Sequence, residues 1–257
     1  MIDATESGAS AGTALRLGSW AAFLVALSAA VALAVGVTTP PRSGAFCTAD
    51  CVTYPYTDVA AFVPGDYLWM YPALLVTGLL AVLTACLAVV VPNGRRALGL
   101  GATALAVVAA ASLAIDYAVQ LAAVQPSLLH GETAGLSLLS MYNPHGVFIA
   151  IEDLGYFTMG LAFLAAAAAL PRRSGLERAV VALLALGGAL LVGLLLVLAP
   201  LLGADLGYQY EVLAMAVGWG TLIVAGPLLG VALRREGSRL AEGGPVGDPR
   251  VAAATVR

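Results

Sequence analysis

The chain has 257 residues, 61% of them hydrophobic and 11% charged, against about 25% charged in a typical soluble domain. That apolar excess excludes a water-soluble globular protein, and a formal net charge of -3 gives no footing for a nucleic-acid partner. All 12 basic residues are Arg, which excludes Schiff-base chemistry on a lysine and with it a retinal-type photoreceptor.

A bilayer core takes about 20 apolar residues of helix to cross. Six stretches meet that length, at 17–37, 68–91, 97–124, 146–170, 179–202 and 209–233. They predict an all-α fold, a six-helix transmembrane bundle over residues 1–235, followed by a disordered tail over 236–257 rich in Gly, Glu, Arg and Pro. The first stretch is too long, and its leader too weakly basic, for a cleaved signal peptide. The third is overlong and is expected to tilt or protrude.

Arginines set the orientation. Arg95 and Arg96 fall in the second loop, Arg172, Arg173 and Arg178 in the fourth, and Arg234, Arg235 and Arg239 after the last span. The first, third and fifth loops hold only Arg42. The expectation is a multi-pass protein of the cell membrane with both termini cytoplasmic. Tyr67, Trp69, Tyr71, Tyr208 and Tyr210 then lie at the outer interface, where amphipathic rings prefer to sit.

In the first outer loop, Cys47 and Cys51 stand four apart. Outside the cytoplasm such a pair is expected to be a structural disulfide. Cys86, inside the second span, reads as packing.

Ionisable residues inside a span are costly and usually face a bundle interior or a cavity. Here they are Asp116 in the third span, Glu152 and Asp153 in the fourth, and Glu211 near the outer end of the sixth. Helix rise places Glu152 about 10 Å inward of His145, and Asp116 about 13 Å inward of Gln125. The third span runs outward and the fourth inward, so these acids reach similar depth in the outer leaflet. Ser112, Asp116 and Gln120 recur every four residues as one polar stripe, and His145, Glu152 and Tyr156 share a face of the fourth span. Asp153 points about 100° from Glu152.

No Arg or Lys is expected at that depth. The acids are then protonated and hydrogen-bonded, or bind a proton or small cation, or face a water-filled pocket. Interhelical hydrogen bonding alone is the plainer alternative. The third loop carries Pro126, His130, Glu132, Asn143, Pro144 and His145, and the spacing of Ala134, Leu138 and Met141 predicts a short interfacial helix. His130 and His145 lack the tight spacing of a metal motif, so no metal site is assigned. No cofactor motif is present.

The segments Asp66-Tyr-Leu-Trp-Met-Tyr-Pro72, Gln125-Pro-Ser-Leu-Leu-His-Gly131 and Tyr142-Asn-Pro-His-Gly-Val-Phe-Ile-Ala-Ile-Glu-Asp-Leu-Gly-Tyr156 resemble a family of uncharacterised prokaryotic membrane proteins. The likeness spans roughly residues 54–235 and implies the same six-helix architecture, with no activity attached.

Three functions fit these residues. One is a small transport or binding protein whose acidic pocket, formed by Ser112, Asp116, Gln120, His145, Glu152, Asp153, Tyr156 and Glu211, takes a proton, a cation or a lipid-like ligand. Another is an intramembrane enzyme using Asp116, Glu152 and Asp153 for acid catalysis on a lipid or isoprenoid. The last is an accessory membrane subunit.

Overall fold

The computed structural model describes residues 4–243, with side chains from Ser10 onward. Those residues form an all-α bundle in which six helices are long and apolar enough to cross a membrane. They are α1 (Ala4–Gly36), α2 (Met70–Val90), α3 (Arg96–Val119), α5 (Val147–Ala169), α6 (Gly175–Leu202) and α7 (Gly207–Ala241). The third span runs past α3 through a π turn, Gln120–Val124, into the short α4 (Gln125–Leu129). Exposed Leu27, Leu75, Leu186, Leu196 and Leu201 stud the outside, as a hydrocarbon solvent permits.

Helix neighbours follow chain order around a closed ring: α1 packs on α2, α2 on α3, α3 on α5, α5 on α6 and α6 on α7. The ring closes because α7 packs on α1, and α5 also reaches across to α7. Small residues make these seams close. At Gly188 an added Cβ would stand 2.6 Å from the Gly160 carbonyl oxygen of α5, and at Gly226 one would stand 2.7 Å from the Ala22 carbonyl oxygen of α1. Such seams gain van der Waals contact where no hydrophobic drive exists.

One end of the bundle carries the arginines of the second and fourth loops and of α7. There Arg234 lies over the rings of Trp20 and Phe23, at 4.9 and 4.8 Å from their centroids, and donates to the Ser19 hydroxyl at 3.1 Å. Ser19 in turn donates to the Gly230 carbonyl. Ser174 and Glu177 cap α6 reciprocally, satisfying amides that a helix start leaves open.

Two expectations need correction. The chain after Arg235 is not irregular at first: α7 continues to Ala241, and in it Glu236 meets Arg239 one turn on at 3.2 Å and Arg173 of the loop between α5 and α6 at 3.8 Å. Residues 244–257 of the expected tail lie outside the described residues. In the third loop, the helix expected from Ala134 is only a single 3-10 turn, Leu136–Leu138. Gly135 enters it with φ of +81°, a left-handed conformation that stops helix propagation.

The π turn has a local cause. Pro126 has no amide hydrogen and its ring crowds the carbonyl four residues back. The helix widens just before it, and the Gln125 amide donates to the Gln120 carbonyl five residues earlier.

Candidate functional site

At the other end, Cys47 and Cys51 are joined in a disulfide, and the loop that holds them folds over the bundle. Arg42 anchors it. Its Nε donates to Asp66 Oδ2 at 3.1 Å, its guanidinium lies 3.9 Å above the Phe62 ring, and Asp50 stands 3.7 Å from its Nη1. The Tyr142 hydroxyl, from the third loop, donates to the same Asp66 oxygen at 3.0 Å. Ser43 donates to the Tyr142 carbonyl, and the Tyr208 hydroxyl donates to the Met141 carbonyl at 2.7 Å while lying 2.9 Å from the Ser43 oxygen. Gly44 sits beneath the Tyr208 ring with φ of +70°; any side chain there would collide with the ring.

Beneath these loops lies a cavity of about 360 Å³, near the lower end of ligand-pocket volumes. Its walls are mostly apolar, from Leu33, Val37, Phe148, Val212 and Met215 among others, with Phe46, Trp69, Tyr142 and Tyr208 adding aromatic faces. Its polar residues include Arg42, Ser43, Asp66 and Glu211. Val37 and Phe46, in the covering segment after α1, and Val212 and Ala216, on α7, are also exposed, so the cavity borders the outer surface where that segment meets α7.

Glu211, on α7, is 7% exposed and faces this cavity. The carboxyl of Glu152 on α5, which is fully buried, lies close enough to act on its charge. Glu152 Oε1 accepts from the Tyr117 hydroxyl of α3 at 2.8 Å, and that hydroxyl lies 3.4 Å from the Tyr156 hydroxyl. Glu152 Oε2 and Asp116 Oδ2 are buried with no hydrogen-bond partner. Asp116 and Asp153 are near enough to Glu211 to act on its charge. Above the cluster, Trp69 packs edge-on against Tyr117 and at a tilt against Trp219, with centroids 5.3 and 5.9 Å apart.

Asp116, Glu152, Asp153, Tyr156 and Glu211 therefore share one locality, and only Glu211 among them lines the cavity. The other expected members lie elsewhere. Gln120 turns toward the third loop, donating to the Leu139 carbonyl at 2.6 Å and accepting from the Met141 amide at 3.2 Å. His145 precedes α5, is exposed, and meets the Ala204 carbonyl at 2.9 Å. Ser112 is half-buried one turn before Asp116 and joins none of the cluster's hydrogen bonds described above.

Sequence reasoning missed Arg42, Asp66, Tyr117, Tyr142 and Tyr208. Arg42 carried a usable signal, as the lone basic residue of its three loops. Among the described residues, no group of three or more His, Cys, Asp or Glu is placed to hold a metal ion.

No family model, curated protein or solved structure matches the chain. The six-helix architecture thus rests on the chain's own fold, and the likeness to a prokaryotic membrane-protein family gains no support from relatives.

Proposed function

We propose that this protein is a small membrane-embedded binding or transport protein that takes a ligand into the cavity against the Glu211–Glu152 carboxyl pair. The observation that carries this reading is Glu211, a carboxyl on the wall of an otherwise mostly apolar cavity and backed by a second carboxyl. Such a pair gives up or takes a proton as a ligand arrives, which couples occupancy to pH. The arginine distribution supports a cell-membrane orientation with both termini cytoplasmic. The cavity then opens in the outer half of the bilayer, and the disulfide faces the oxidising side.

The test is labelling of the purified full chain in lipid nanodiscs by dicyclohexylcarbodiimide, with the modified residues mapped by mass spectrometry. The reagent is apolar and attacks protonated carboxyls that it can reach. Glu211 is expected to label first, more readily as pH falls, with Glu152 and Asp116 slower behind it. No labelling at any of the three would leave only the structural role of the cluster.

The same pair favours a second reading, an intramembrane enzyme. A protonated Glu211 can pass its proton to an alkene carbon of a bound isoprenoid, and a carboxylate of the pair can remove a proton from the resulting carbocation, restoring the acid. Lipid extracts of producing cells and of a Glu211→Gln strain would then differ by an isomerised or cyclised product; identical extracts would rule this reading out.

A further inference from the structure

Charge, aromatic lining and access together narrow the ligand class for the cavity. Within and around it, the fixed charges are unequal. Among the described residues lining it, the one cation, Arg42, is already held by Asp66 at 3.1 Å and by Asp50 at 3.7 Å. The acids beyond that balance are Glu211 on the wall, with Glu152, Asp153 and Asp116 behind it. An anionic head group would find no free cation and would approach this acid cluster. A cation would find compensation at Glu211.

The aromatic faces point the same way. Phe46, Trp69, Tyr142, Phe148 and Tyr208 border one small volume, and aromatic faces attract ammonium-type cations when water is excluded. The structure already uses that interaction at this end, between Arg42 and Phe62. A compact metal cation suits the site poorly, because the described residues offer no three-ligand group and the walls are mostly apolar. Exposed Val37 and Phe46, just past the end of α1, and Val212 and Ala216, on α7, border the cavity where it reaches the outer surface.

We infer that the ligand is a lipophilic organic cation, a hydrophobic amine or quaternary ammonium, that enters where the segment after α1 meets α7 and pairs with Glu211. This rests on the binding-or-transport reading above and specifies its ligand. A cation pairs with the carboxylate form of Glu211 and displaces any proton held there, so cation affinity falls as pH drops. The titratable or charged groups facing Glu211 are Glu152, Asp153 and Tyr156 of α5, Asp116 of α3, Tyr208 on its own helix, and Arg42 and Asp66 bordering the cavity. α1 and α6 carry their charged residues toward the opposite end.

The experiment uses two ions of the same shape and opposite charge, tetraphenylphosphonium and tetraphenylborate, on the full chain in nanodiscs. Each is added before carbodiimide labelling, and binding is read in parallel by quenching of tryptophan fluorescence, Trp69 being on the cavity wall. Tetraphenylphosphonium is expected to protect Glu211 and to bind about tenfold more weakly for each pH unit once the pair is protonated; tetraphenylborate is expected to do neither. Glu211→Gln should lose phosphonium binding, and Glu211→Asp, which keeps the charge, should retain most of it. Equal protection by both ions, protection by the borate alone, or labelling that neither ion suppresses would overturn the cation assignment while leaving a reachable carboxyl in a cavity. Absence of any labelling would overturn the parent reading and this one together.

Discussion

The Tyr117 hydroxyl donates to Glu152 Oε1 at 2.8 Å and so joins α3 to α5 at the level of the acids. The nearby Tyr156 hydroxyl stands farther off, 3.4 Å from that of Tyr117. This difference fixes an order of effects. Tyr117→Phe leaves a second oxygen of Glu152 without a donor and should cost about 1–3 kcal/mol of stability. Tyr156→Phe should cost less. Thermal unfolding in detergent, both variants side by side, checks the order; a larger loss for Tyr156→Phe would contradict it.

Arg42 and Asp66 make the main tie of the covering loop. Their side chains are 14% and 7% exposed, and removing one charge from such a pair strands the other. Arg42→Gln should therefore lose about 3 kcal/mol, concentrated in the loop, and amide hydrogen exchange over residues 40–66 should accelerate well before that of the spans. Exchange that rises evenly over the whole chain would show that the pair stabilises the bundle and not the loop.

Tyr142 gives this tie a pH limit. Burial first, then the neighbouring Tyr67 and Asp66, push its hydroxyl well above the ordinary tyrosine value. Folding thus favours the neutral hydroxyl. Its contribution is complete below about pH 10, the ordinary value, and drains away as the pH climbs toward the folded one. Loop protection, relative to the intrinsic base-catalysed exchange rate, should be flat across neutral pH and fall in strong alkali. Tyr142→Phe, which has nothing to ionise, should remove that alkaline fall while loosening the loop slightly at every pH.

Two glycines of one helix test the packing account. Gly188 meets the backbone of Gly160 and Leu164, whereas a Cβ at Gly193 has nothing within 4 Å. Gly188→Ala must push α5 and α6 apart and should cost about 1–3 kcal/mol. Gly193→Ala should instead gain up to about 1 kcal/mol from helix propensity. Unfolding midpoints that move in the same direction would defeat this reading.

What the chain reveals in advance follows from what hydropathy encodes. Span number came through because a long apolar run has only one stable use in a bilayer, and α2, α5 and α6 lie close to their expected bounds. Depth came through as well: equal distances from the helix ends put Asp116 and Glu152 at one level. Direction around each helix did not. Four-residue spacing assigned Gln120 and His145 to the acid site, but Gln120 lies one turn nearer the third loop and bonds there to Leu139 and Met141, and His145 precedes the first turn of α5. The cavity itself was hidden, since its polar rim comes from loop residues such as Arg42 and Ser43 that have no periodicity to read.

The seam between α1 and α7 has a consequence for how the protein is made. Ser19 bonds to Gly230, and the cavity takes one wall from residues 33–46 and another from residues 208–216. Those walls are separated by most of the polypeptide. A ribosome delivering the chain into a membrane produces α1 first and α7 last. During that interval α1 has its α7-facing stripe uncovered, including Ala22 and Ala26, and the cavity lacks one wall. Any truncated product lacking α7 would retain most of the acids yet leave the cavity open along one side, so the enclosure forms in a single step once α7 is in place.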